Sequence, residues 1–213
     1  MTGRRALEIG GIIAGVIMIV FGVGALVMSI NARNTVGDEL TREKIVGSAD
    51  MSPAAITVAM KEAGLQNVAA PSCDVAEQPI ENGSDARCFA QYMRIHALEA
   101  SGGLTYAEMG RFLAAKAPTD PKGTSDEAAA LKDESGKPVA NAARNTWVTE
   151  TALTTALNVS YMAEQLALFS LIVGVALLLS GIGFVILALS VLGGARVKKT
   201  VEHQRTSAAP AAG

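Results

Sequence analysis

The sequence predicts an all-α membrane protein: two antiparallel transmembrane helices with an extracytoplasmic helical domain between them. Three observations predict it. Residues 9–30 and 166–192 form runs of 22 and 27 positions without a charged side chain. The short ends of the chain are basic, whereas the long segment between the runs is acidic. Both cysteines, Cys73 and Cys88, fall in that middle segment.

As α-helices the two runs would extend about 33 and 40 Å, against a hydrocarbon core about 30 Å thick. Uncharged core helices of that length are uncommon in soluble proteins, so both runs are read as spans. Arg4 and Arg5 precede the first run, as they would in a signal peptide. However, the run exceeds a typical signal core of ~7–15 residues, and no small-x-small site stands at its exit. An uncleaved anchor is expected.

Residues 1–8 and 193–213 carry Arg4, Arg5, Arg196, Lys198, Lys199 and Arg205 against Glu8 and Glu202, while residues 31–165 carry twelve basic and eighteen acidic residues. Positive flanks stay inside, so 1–8 and 193–213 are expected in the cytoplasm of a bacterial cell membrane and 31–165 outside it. The tail from 193 ends in Ser, Ala, Pro and Gly and reads as disordered. Its few basic residues fit topology and acidic lipid headgroups, and they offer no folded surface for nucleic acid.

An oxidising compartment favours a bridge between Cys73 and Cys88. The bridge would close a loop of about fifteen residues, worth roughly 3 kcal/mol in the chain-entropy model. Unlinked structural thiols are the alternative.

The outer segment reads as helical. Ser52-Pro53 is a start and Gly64 a stop, which gives a helix over 53–63. A second helix is expected over 86–101, ending at Gly102-Gly103. Thr105-Tyr106-Ala107-Glu108 fits a capping box and predicts a third helix that stops before Pro118. Residues 118–138 read as a polar loop with a short helix over 126–132, and no stretch alternates as a strand. From about Val139 a single helix is expected to run through the second span, with Trp147, Leu153, Leu157 and Tyr161 giving it apolar surface and Tyr161 at the membrane interface.

Within the spans Gly11 and Gly15 form a GxxxG, and the pairs Gly15/Gly22 and Gly174/Gly181 are each seven apart. Such stripes let helix backbones approach closely. The same chemistry serves packing of the two spans on each other, a homo-oligomer, or a contact with another membrane protein.

The histidines, His96 and His203, fall on opposite sides of the membrane in this topology, so one site cannot use both. No G-x-S-x-G, phosphate loop or H-E-x-x-H occurs, and no span carries an ionisable residue. No metal or cofactor is expected. His96 and Glu99 are three apart and can pair on one helix face. With Tyr106 and Trp147 they are the candidates for an interaction surface or pocket.

The stretch from Gln91 to Glu108, with His96-Ala97-Leu98-Glu99-Ala100, Gly102-Gly103 and Thr105-Tyr106-Ala107-Glu108, resembles a family of small actinobacterial two-span membrane proteins. Arg144-Asn145-Thr146 ahead of the second span belongs to the same likeness. Members of that family often carry a label as aromatic ring-opening dioxygenases, but an iron-ligand set cannot be assembled from two histidines separated by a bilayer. The resemblance therefore implies a two-span membrane protein and no catalytic residues. The function expected is a non-catalytic accessory or interaction subunit of a membrane assembly, a respiratory supercomplex being one host. The alternative is an extracytoplasmic ligand-binding or sensing protein.

Overall fold

A computed structural model describes residues 2–193; the basic tail beyond Gly193 and its predicted disorder lie outside the described residues. The protein is helical, with α1 Thr2–Glu43, α2 Pro53–Glu62, α3 Gly83–Ala100 and α4 Ala142–Leu187. A single 3-10 turn covers Tyr106–Glu108, and a π-helical turn, Ala188–Gly193, follows α4. The chain divides into two compact units, one comprising Met1–Ala32 with Leu166–Gly213 and the other Arg33–Gln165.

The first unit holds the apolar parts of α1 and α4. Both helices are long and apolar enough to cross a membrane. A core helix of a soluble protein would be mostly buried, but only 11% of the most apolar stretch of α1 and 17% of that of α4 are. Met28, Phe21, Phe169 and Leu179 are 63–72% exposed. That much exposed hydrocarbon is the kind of surface a membrane-spanning helix presents to lipid.

The two helices meet where side chains are absent. A carbon added to Gly15 would stand 2.7 Å from the Gly181 carbonyl oxygen, and one on Gly22 would stand 2.8 Å from the Gly174 carbonyl oxygen. One on Gly11 would approach Ala188 Cβ to 3.2 Å. All five glycines singled out in the sequence lie in this contact, whereas added carbons at Gly10, Gly24 and Gly183 would meet nothing within 4 Å. Ser29, itself buried, closes the contact by donating to the Ala167 carbonyl at 2.7 Å.

The second unit is organised around α3. Asn82 starts this helix by accepting the Asp85 amide at 2.9 Å, so it begins at Gly83, three residues ahead of the expected start. It stops where Gly102 and Gly103 turn left-handed (φ +63° and +81°) and the Gly103 amide reaches back to the Leu98 carbonyl. Ala86, Cys88, Ala90, Tyr92, Ile95, Ala97 and Leu98 are buried along it. They pack with Ile56 and Met60 of α2, Leu40 of α1, and Trp147 and Leu157 of α4 in one core. The Ser52 hydroxyl accepts the Ala55 amide at the start of α2, and Gly64 (φ +73°) follows its end.

Cys73 and Cys88 are bonded, with Cα atoms 6.0 Å apart, and the loop they close is pinned at both ends. The Tyr92 hydroxyl, buried in the core, donates to the Cys73 carbonyl at 2.6 Å. On the other side residues 45–47 pair with 75–80. The Gly47 amide donates to Gln78 and its carbonyl accepts from Glu77, while Ile80 donates to Ile45. Any side chain at Gly47 would strike the Val75 carbonyl.

Two expectations fail. Residues 105–117 form no third helix. The Thr105 amide and hydroxyl do donate to the Glu108 carboxylate, at 2.8 and 2.7 Å, so the start signal operates for one turn. The chain then extends, because its amides find partners across the loop: Gly110 to Lys122, Phe112 to Thr124, Leu113 to Val139 and Ala115 to Ala129. Gly110 permits this, since a side-chain carbon there would overlap the Thr124 backbone. The short helix over 126–132 fails for the same reason, with Leu131 donating to Leu113 and Asp126 accepting the Ala128 amide in a tight turn. Beyond its apolar run α1 continues to Glu43, where Val36 and Leu40 join the second unit's core. The last helix begins at Ala142, three residues after the expected start. Asn141 ahead of it is buried, and its side-chain amide donates to the Gly110 and Pro121 carbonyls.

Candidate functional site

The residues singled out for an interaction surface or pocket, His96, Glu99, Tyr106 and Trp147, all fall in the second unit, but they do not form one site. His96 lies on α3 with a carboxylate at each ring nitrogen: Glu99 Oε2 is 3.1 Å from Nδ1 and Asp50 Oδ2 is 3.5 Å from Nε2. The expected pairing of His96 with Glu99 is present, and Asp50 is its unforeseen third member. The Ser48 hydroxyl donates to Asp50 and chiefly holds that carboxyl below the usual range, burial opposing it and nearby His96 adding a lesser pull downward. The two carboxylates approach the ring from different atoms and do not converge on a common point. Among the described residues no group of three or more His, Cys, Asp or Glu side chains could hold a metal ion.

Trp147 is buried on α4, with the Arg94 guanidinium stacked 4.7 Å from its ring centre. Tyr106, partly exposed on the 3-10 turn, is covered in the same way by Arg144 at 3.9 Å. A third such pair, Arg87 over Tyr161 at 4.6 Å, links the start of α3 to α4. Cation–π contacts of this kind contribute about 0.5–1 kcal/mol each where exposed and more where water is excluded. They hold α3 and the turn to α4.

Two clefts border these groups. His96 lines one of about 460 Å³ with Met93 and Ala97 from α3 and Asn145, Thr149, Glu150 and Leu153 from α4. Tyr106 and Trp147 line the other, of about 520 Å³, with Val148, Thr151 and Ala152. His96 and Tyr106 thus line separate clefts.

Sequence reasoning missed Glu150. It is a charged residue, yet its side chain is 4% exposed. Its spacing from Trp147 and Leu157, three before and seven after, places it on the buried face of α4, and that spacing was readable. Glu164 was missed as well. Near the end of the second unit it faces Arg33 at 3.6 Å, while Asp85 nearby is pushed up by burial and by the Glu164 and Glu81 charges, Asn82 pulling the other way.

No protein-family model matches the chain, and neither does any curated protein or solved structure.

Proposed function

We propose that this protein is a non-catalytic accessory subunit of a bacterial membrane assembly. In this reading α1 and α4 cross the cell membrane antiparallel, both ends of the chain are cytoplasmic, and Arg33–Gln165 lies outside. The observation that carries the reading is the contrast between the two units: bare hydrocarbon on α1 and α4 in the first, and a buried apolar core held by the Cys73–Cys88 bridge in the second.

Further support comes from the helix contact. Gly11 meets Ala188, Gly15 meets Gly181, Gly22 meets Gly174 and Ser29 meets Ala167, a register that suits an antiparallel pair. These glycines are engaged within the chain, so partner proteins or further copies would dock on other faces of the spans or on the outer unit. The non-catalytic reading is supported by what the candidate residues do. His96 is held between Glu99 and Asp50, Trp147 lies under Arg94 and Tyr106 under Arg144, all contacts that join elements.

Both described cysteines are bonded, so a new cysteine gives an unambiguous label. Glu134→Cys should react with a membrane-impermeant maleimide in intact cells, and Thr200→Cys should react only after lysis. Labelling of Thr200→Cys in intact cells would sink the topology. In-cell crosslinking followed by mild detergent extraction should recover larger membrane proteins with the chain. Recovery of the chain alone would refute the accessory role.

A further inference from the structure

We propose that the cleft between α3 and α4 binds a small organic cation, an alkylammonium or similar N–H donor with a short apolar body, through Glu150. This goes beyond the accessory reading and rests on different observations.

The first observation is the state of the carboxylate. Glu150 is almost fully buried, and its two oxygens are unequally served. Oε2 accepts the Thr151 hydroxyl at 3.3 Å and has Arg94 Nη1 at 4.0 Å, the outer limit of an ion pair. Arg94 is held there with its guanidinium over the Trp147 ring. Oε1 is buried and has no hydrogen-bond partner. A buried, half-served carboxylate is costly unless a donor reaches it.

The second observation is the chemistry of the walls. The Thr149 hydroxyl donates to the Asn145 carbonyl at 3.2 Å, and Thr146 donates to Ala142 at 3.1 Å. Both hydroxyls therefore turn lone pairs, not protons, to their remaining neighbours. Of the other polar walls, the Asn145 amide can donate or accept, and the His96 ring nitrogens face Glu99 and Asp50. The one charge of the lining not set against a neighbour in the cleft wall is therefore the Glu150 carboxylate, which suits a cation better than an anion. Met93, Ala97 and Leu153 supply apolar wall for a short alkyl body. The volume, about 460 Å³, falls within the usual range for small-molecule sites.

The test uses the full chain in detergent micelles, titrated calorimetrically with n-pentylammonium, and with pentanoate and pentanol as anionic and neutral probes of equal length. Saturable binding is expected for pentylammonium alone. Glu150→Gln should weaken it by about ten-fold or more, the effect of losing one charge-assisted bond. Glu134→Gln, on a distant loop, should leave it unchanged. Thr149→Phe, a substitution at an exposed position that narrows the cleft, should abolish binding and decides the matter if Glu150→Gln fails to fold. Absence of saturable pentylammonium binding, equal binding of pentanoate, or undiminished binding by Thr149→Phe or a folded Glu150→Gln would each overturn the proposal.

Discussion

The spans and the middle unit both carry large apolar side chains, yet only the middle unit hides them. In Arg33–Gln165 the large residues Tyr92, Ile56, Ile80 and Trp147 are buried in the core, and burial of such surface drives folding in water. In the span unit the large residues face outward, and the contact is made by Gly11, Gly15, Gly22, Gly174 and Gly181. Against lipid, which is as apolar as leucine, nothing would be gained by burying leucine there. What remains is close packing of backbones and the occasional hydrogen bond such as Ser29 to Ala167. One chain thus uses opposite residue sizes for one purpose. Perturbations chosen by size should separate the two units.

The largest effect is expected from removing the disulfide, which belongs to the middle unit alone. Replacing Cys73 and Cys88 together by Ala should lower that unit's stability by about 3 kcal/mol, because the loop of some fifteen residues is no longer closed in the unfolded chain. Trp147 is the single tryptophan and is buried in that unit, so its fluorescence reports the transition. Its unfolding midpoint should fall, while the far-UV signal of the span helices in detergent persists. An unmoved Trp147 midpoint would mean that the bridge adds nothing to the core around Tyr92.

A smaller effect, confined to the spans, should follow from adding a single carbon. Ala at Gly22 would bring Cβ to 2.8 Å from both the Gly174 carbonyl oxygen and the Leu178 amide nitrogen, so the helices must part. Overpacking of this kind costs about 1–3 kcal/mol. Gly22→Ala should therefore lose helical structure at lower SDS than the wild type. Gly24→Ala, whose added carbon meets nothing within 4 Å, should not. If the two variants titrate alike, the glycine contact is not what holds the pair.

Much of this contrast was legible because it is written in single residues with strong local meaning. Charge-free runs gave the apolar helices, and Ser52-Pro53, Gly64 and Gly102-Gly103 gave the ends of α2 and α3 to within a few residues. The glycine spacing gave the contact positions without choosing the partner. The failures occur where non-local bonding decides. Thr105 to Glu108 is a sound helix start, but Gly110 lets the backbone approach Thr124, and cross-loop bonds claim the amides that a helix would need. The extension of α1 past residue 30 had no such local marker, since Leu40 becomes a core residue only through contacts with distant elements. Likewise, the spacing of Glu150 from Trp147 puts it on a buried face, while its unsatisfied oxygen depends on Arg94 and Thr151 in three dimensions.

The smallest expected effect tests the polar end of the middle unit. Asp85 is raised above its ordinary 3.8 chiefly by burial, with Glu164 and Glu81 adding and Asn82 opposing. A carboxyl whose pKa is raised on folding contributes stability that is fully present below its unfolded pKa and lost as pH rises through the folded value. The wild type therefore loses this contribution between pH 3.8 and the raised pKa. Asn at this position keeps an acceptor for the Asn82 side chain but carries no charge. Asp85→Asn should thus gain on the wild type as pH rises, so its Trp147 midpoint relative to wild type should be higher at neutral pH than near pH 4. An equal gap at both would show that the carboxyl is solvated in the folded unit. A gap that narrows with pH would show that Asp85 is stabilised as an anion, with Arg87 as the nearest cation in sequence to answer for it.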